Sequence, residues 1–298
     1  MNLPTPHLEK LNAVLANEKL PSTDKPVVEE AIQRYRAWIF ALQQVQGDNW
    51  DEVALQMVTL LNEYKLFVEV DIIFDREDDF LYRQKGQTKL DNSIIEEFLP
   101  HLVSKCLMKD ADDTNLSLGP TTAFSAIYFA SSLDAPAIGG GITVRTKDQD
   151  FAIAKRVYLK ASHDPEYQES ITKAFDIAFV VGECKTNLDK TMFQEAVATA
   201  HDVKSAVTGA KYYLLCEWLD MTPQSTAATD IDEVIILRKA KRLSSNVRSA
   251  FGKYAGRRDV LVQRKLEFRS LGFSELKGVM PVVTVASCQS GLAHGCQE

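Results

Sequence analysis

Residues 175 to 187 read FDIAFVVGECKTN, a run dry enough to lie inside a sheet that nevertheless carries Asp176, Glu183 and Lys185. Successive side chains of a strand alternate faces, so Glu183 and Lys185, two apart, point the same way. Asp176 precedes Glu183 by seven residues, an odd interval that puts it on the opposite face of a regular strand. For Asp176 and Glu183 to share a cation the strand must bulge, and Gly182 is where a bulge costs least. Two carboxylates and the backbone carbonyl of Cys184 would then offer the hard oxygen donors that suit Mg²⁺, with Mn²⁺ as a substitute. A cation held there lowers the pKa of a bound water and neutralises charge on a phosphorus centre under attack. Lys185 beside it would orient or deprotonate that water, or stabilise the oxyanion. The chemistry that wants this set is phosphodiester hydrolysis.

The elements that must position these residues follow from the pattern around them. Apolar residues recur at helical spacing from Pro26 to Tyr64, with Gly47-Asp48-Asn49 dividing two helices. Residues 66 to 82 mix β-branched residues with acids and fit either a strand and turn or a third helix. Asp91-Asn92-Ser93 followed by Glu96 reads as a helix start, Ser93 capping and Glu96 closing a capping box, with a bend or restart near Pro100. Residues 142 to 162 alternate on both sides of Lys147-Asp148-Gln149-Asp150 and predict a β-hairpin turning at those four residues. Gly139-Gly140-Gly141 predicts the turn before it. The strand from Asp176 to Lys185 comes next, then a helix whose apolar face is Phe193, Ala196, Val197, Ala200, Val203 and Val207, stopped by Gly209. Gln194 lies on the polar side of that helix, where it would reach a phosphate or a water. Strands at 210 to 218 and 232 to 238 complete a mixed sheet flanked by helices, an α/β architecture with a helical N-terminal region.

Charge supplies the second line of reasoning. The 298 residues carry a net charge of -7, which taken alone argues against a nucleic-acid ligand. The charge is unevenly spread. From Arg238 to Arg269 there are eleven Lys or Arg against two acids, so this segment is +9 and the remainder of the chain -16. Arg238, Lys239, Lys241, Arg242, Arg248, Lys253, Arg257 and Arg258 lead it, with Phe251 and Tyr254 interleaved, as expected of a surface that tracks the backbone of double-stranded DNA. The five cysteines include no CxxC pair, so neither a disulfide framework nor a zinc knuckle is expected. No apolar run approaches the length of a membrane span and residues 1 to 12 lack a signal-peptide pattern, which predicts a cytoplasmic protein without a membrane partner.

Asp176 with Glu183-Cys184-Lys185, in a frame of hairpin, strand, helix and strand, resembles the PD-(D/E)XK nuclease superfamily, and the short gap is similar to that of MutH-type endonucleases. Phe175 stands where the superfamily's name has Pro. The stretches LYRQKGQTKLDNSIIEEFLPHLV and GECKTNLDKTMFQEAVATAHDVK are more specific, and resemble the type II restriction endonucleases that cut the asymmetric site CCTNAGC and its relatives. The resemblance extends from about Trp38 to Leu237. It implies a restriction-endonuclease-like core, Asp176 and Glu183 as metal ligands, Lys185 as the catalytic lysine, and an accessory Glu96 or Glu97 from the helix before the sheet. It also implies a second nuclease subunit, non-identical or a second copy. The chain divides on this reading into a helical region at 1–90 for DNA recognition or subunit contact, a nuclease core at 91–237 and a basic DNA-contacting segment at 238–298. A repair or recombination nuclease and a non-cutting DNA-binding subunit are the alternatives.

Overall fold

The computed structural model describes residues 3–74, 79–106 and 116–237. The basic residues Arg238, Lys239, Lys241, Arg242, Arg248, Lys253, Arg257 and Arg258 lie outside the described residues. Among the described residues the chain forms two compact units, one drawing on residues 3–9, Leu90–Pro100 and 116–236 and the other on Lys10–Lys89 with residues 101–106.

The second unit is helical. It contains α2 (Lys25–Gln44) and α3 (Trp50–Phe67), and the first helix, α1 (Pro6–Leu15), enters it from the N-terminus. Asn49 caps α3 by accepting the Glu52 N–H at 3.0 Å, which is why the chain restarts a helix just after Gly47-Asp48. Trp38 of α2 stacks on Tyr64 of α3 with ring centroids 4.6 Å apart. The ambiguous stretch after it is helical: α3 runs into a π-helical turn at Val68–Phe74, and α4 spans Asp79–Gln87. Burial of Val68, Val70, Ile72 and Ile73 accounts for the β-branched residues there, which fill the core of a helical unit. No described helix is long and apolar enough to cross a membrane.

The first unit is built on a five-stranded mixed sheet: β1 (Leu116–Phe129), β2 (Ile142–Ser162), β3 (Ser170–Leu188), β4 (Lys211–Leu219) and β5 (Glu233–Ile236), in that spatial order. Helix α5 (Ser93–Cys106) precedes β1, and α6 (Lys190–Ala206) makes the crossover between the parallel strands β3 and β4. Asp189 starts α6 by accepting the Met192 N–H at 2.9 Å. Small residues at Ala152, Ala154 and Ala178 let α6 seat Phe193, Ala196, Ala200 and Val203 on the sheet, beside Val181, Tyr212, Leu214 and Cys216. Emptying that contact with Phe193→Ala costs roughly 3–5 kcal/mol.

The expected hairpin within 142 to 162 is absent. Lys147-Asp148-Gln149-Asp150 is no turn; it lies inside the single strand β2, which pairs antiparallel with β1 on one edge and β3 on the other. The two hairpins are therefore β1–β2 and β2–β3, and the three glycines turn the first, all with positive φ. β1 meets β2 with an irregularity between Gly119 and Thr121, where Asp150 and Phe151 face Pro120. Gly119 has a φ of 120°, and a Cβ there would stand 2.4 Å from Pro4 Cγ, so only glycine permits this bend.

Candidate active site

The bulge that the sequence requires is present in β3, at Phe179 rather than Gly182: Val180 pairs with Ile153 and Ala178 with Ala154, leaving Phe179 as the extra residue. The shift returns Asp176 to the face that carries Glu183. It does not bring the two together. They lie on one continuous strand, and seven residues of strand span roughly 20 Å. Asp176 is instead held by Arg156, opposite it on β2, in a bidentate pair at 2.7 and 2.9 Å. The expectation that Asp176 shares a cation with Glu183 is corrected by this geometry.

The carboxylate that stands across from Glu183 in register is Asp150. Phe151 and Gly182 form the last pair of the β2–β3 ladder, and one step beyond them stand Asp150 and Glu183, where β2 leaves β3 for β1. Parting strands release backbone donors that need new partners. Asp150 Oδ2 takes one, accepting the Cys184 N–H at 2.8 Å. Sequence reading missed Asp150 because it assigned the residue to a turn. A signal was available, since Asp150 stands directly before the buried run Phe151, Ala152, Ile153 and Ala154, an acid at the end of a dry strand segment just as Asp176 is.

Glu183 and Lys185 share a face as expected, with Lys185 Nζ 2.6 Å from Glu183 Oε1. Cys184 between them is buried on the other face. The second oxygen of Glu183 accepts a hydrogen bond from the hydroxyl of Tyr212, a fully buried residue of β4. Burial alone lowers the pKa of Lys185, but the hydrogen bond and charge of Glu183, with the charges of Asp150 and Glu195, outweigh it and raise it, so Lys185 is an ammonium. Burial, then the Glu183 charge, pushes the Tyr212 phenol up, and it stays a protonated donor. Burial also lifts the Cys184 thiol well above its ordinary value, aided by the charges of Asp150, Glu96 and Glu183, so this thiol is no nucleophile.

Helix α5 supplies the far wall. Its start falls where expected, but the capping box does not form as written. Ser93 donates to Leu90 O at 2.9 Å and meets His7 Nδ1 at 3.0 Å, while Asn92 takes the role of linking residue. Asn92 Nδ2 donates to Glu96 Oε1 at 2.8 Å and to the Cys184 carbonyl at 3.2 Å, tying the helix to the strand at the centre. Glu96 is thus the glutamate of α5 on the side of the centre. Glu97 is turned to the N-terminal segment and accepts the His7 N–H at 2.8 Å. Gln194 lies exposed on α6, and it is its neighbour Glu195 whose charge reaches Lys185. Pro100 sits inside α5, which continues through it to Cys106.

Among the described residues no three His, Cys, Asp or Glu side chains converge as a ready cation cage. The donor set is smaller and mixed: the carboxylates of Asp150 and Glu183 and the Cys184 carbonyl, all hard oxygens, fit a small divalent cation completed by water and phosphate.

The model of the Bpu10I restriction endonuclease family matches residues 87–270, more than half of the chain, and that span contains Asp150, Glu183 and Lys185. In fold the chain is similar to a chain of the solved native BbvCI A2B2 tetramer, with a TM-score of 0.52 and 20% identity over 93% of this chain and 99% of that one. No curated protein matches the chain at a significant level.

Proposed function

Because the chain belongs to the Bpu10I restriction endonuclease family, we propose that Asp150, Glu183 and Lys185 form the centre at which it hydrolyses a DNA phosphodiester. The protein is a type II restriction enzyme, a sequence-specific DNA endonuclease. The observation that carries the site is the convergence of two carboxylates and a lysine where β2 and β3 part.

Asp150, Glu183 and the Cys184 carbonyl would hold Mg²⁺, or Mn²⁺ in its place. Such an ion lowers the pKa of a coordinated water and neutralises phosphate charge. The chain's own groups do the rest. Asp150 is oriented by the Cys184 N–H, and Asn92 fixes both the Cys184 carbonyl and Glu96. Lys185, already protonated, is suited to stabilising negative charge on the phosphate oxygens and to orienting the attacking water, rather than to removing its proton. The side chains of Glu183 and Lys185 are 15% and 22% exposed, open enough for a phosphate yet screened from bulk water.

The basic residues from Arg238 onward would grip the DNA backbone, as their charge suggests. The helical residues of 1–90 would share recognition or contact a second nuclease subunit, identical or not, as the A2B2 assembly of BbvCI suggests. The protein would act in the cytoplasm, where its DNA substrate lies. The test is incubation of supercoiled plasmid with Mg²⁺ and the wild type, Asp150→Asn, Asp176→Asn, Glu183→Ala or Lys185→Ala. A nick or linear product at one short sequence, lost in all but Asp176→Asn, is the expected result. Cleavage that survives Asp150→Asn and disappears in Asp176→Asn sinks the assignment.

A further inference from the structure

To serve as a ligand beside Asp150, Glu183 must present one particular oxygen toward it. Its two oxygens are already divided between partners of different kinds. Oε1 meets Lys185, a flexible side chain from the same strand, 22% exposed. Oε2 is held by the hydroxyl of Tyr212, which is rigid by comparison: the residue is fully buried in the sheet core between Val181 of β3 and α6.

The backbone of Tyr212 is itself anchored. Its N–H donates to Asp232 Oδ2 at 2.8 Å, and its carbonyl accepts the Asp232 N–H at 2.9 Å. Asp232 is clamped in turn by Lys204 of α6 at 2.7 Å and Lys211 of β4 at 3.0 Å. One acid thus ties the C-terminal turn of the crossover helix, the start of β4 and the approach to β5. A phenol has one proton, and donating it to Glu183 leaves that hydroxyl no other donor role.

We infer that Tyr212 is a positioning residue of the metal centre, its hydroxyl fixing Glu183 Oε2 so that Oε1 is the oxygen presented to the cation. This rests on the reading of Asp150 and Glu183 as ligands. Groups that hydrogen-bond a ligand and fix its orientation typically alter metal affinity by about 10–100-fold when removed. The result differs from that of losing a ligand, because saturating metal recovers the site.

The test is Mn²⁺ binding to the full-length protein, followed by electron paramagnetic resonance, with cleavage measured across a Mg²⁺ titration. Tyr212→Phe removes only the hydroxyl. It should weaken Mn²⁺ binding by about 10–100-fold and raise the Mg²⁺ needed for half-maximal cleavage in step, with kcat at saturating Mg²⁺ kept. Incorporating 3-fluorotyrosine at position 212, which restores the hydroxyl, should return the affinity and separates the hydrogen bond from any packing defect. Unchanged Mn²⁺ affinity in Tyr212→Phe overturns the inference, as does a weakened affinity that fluorotyrosine does not restore. Asp150→Ala and Glu183→Ala serve as the reference. If they fail to weaken Mn²⁺ binding, or the wild type binds none, the metal-site reading itself falls and this inference with it. If they do and Tyr212→Phe does not, only the role of Tyr212 is lost.

Discussion

The β2–β3 ribbon carries two acidic sites on one face, and they have opposite fates. Midway along the ladder Asp176 lies opposite Arg156, paired on both sides, and the two neutralise each other in a bidentate pair. At one end Asp150 and Glu183 stand just past the last ladder pair, with Lys185 as the nearby cation. An acid whose cross-strand neighbour is a base is a finished structure. Two acids brought together where strands diverge are an unfinished one, and a cation completes it. On the proposed reading the chemistry belongs to the end where the ladder stops, because parting strands leave room for metal, water and phosphate.

Replacing the carboxylate by an amide at each of the two sites tests this contrast most strongly. Asp150→Asn should reduce plasmid cleavage about a thousand-fold or more, the several kcal/mol that a bound metal contributes to the transition state. Asp176→Asn, which leaves that end untouched, should cleave within a few-fold of wild type. Quantitative nicking assays at fixed Mg²⁺ decide it, and equal losses in the two variants would erase the distinction between the two sites. Lys185→Ala comes next, with an expected loss of about 10²–10³-fold, the usual worth of one preorganised charge-stabilising group. Recovery of that activity as pH is raised would instead mean that hydroxide replaces a missing base, and would assign Lys185 to proton removal.

Two residues of the proposed centre were legible in the sequence, but not their partner across the sheet. Glu183 and Lys185 were legible because they sit two apart on one strand, and strand geometry alone sets their common face. The need for a bulge was legible from the odd interval, and the structure supplies one at Phe179. Asp150 was hidden because cross-strand register is a long-range property, settled by where β2 stops pairing with β3, and the polar run KDQD looks locally like a turn. The helices at 25–44, 50–67 and 190–206 and the strands after them followed from periodicity and caps. The helical state of 68–74 did not, since β-branched residues buried inside a helical unit look like strand residues in a short window. Glu96 and Glu97 are adjacent, and only the contact of Asn92 with Cys184 separates the one that faces the centre from the one that holds His7.

A pH test asks whether acid sensitivity of the fold can be separated from that of the centre. His101 lies in the other unit, and burial, then the charge of Lys105, holds its pKa down at about 4. The folded chain thus refuses a proton that the unfolded chain accepts from about pH 6.5 downward. The contribution is complete above pH 6.5 and is lost as pH falls to about 4, a decline of about 3 kcal/mol. Urea melts at pH 7 and pH 4.5 should show a smaller difference for His101→Asn than for wild type. An unchanged difference would mean that the histidine is already protonated in the fold.

The smallest effect is expected at the Arg156–Asp176 pair in the middle of the ribbon. The Arg156 side chain is half exposed and that of Asp176 is 17% exposed, so water competes for the guanidinium and salt screens the pair. Arg156→Ala should cost about 0–1 kcal/mol of stability, the range of surface ion pairs, and the cost should shrink further in high salt. Thermal melts of the single variants and of Arg156→Ala with Asp176→Ala form a cycle that isolates the pair. A coupling well above 1 kcal/mol that persists in salt would mean that the pair is buried in the working enzyme, covered by DNA or by a second subunit. Repeating the cycle with a duplex added then separates those two covers, because DNA changes the coupling only if it lies on that face.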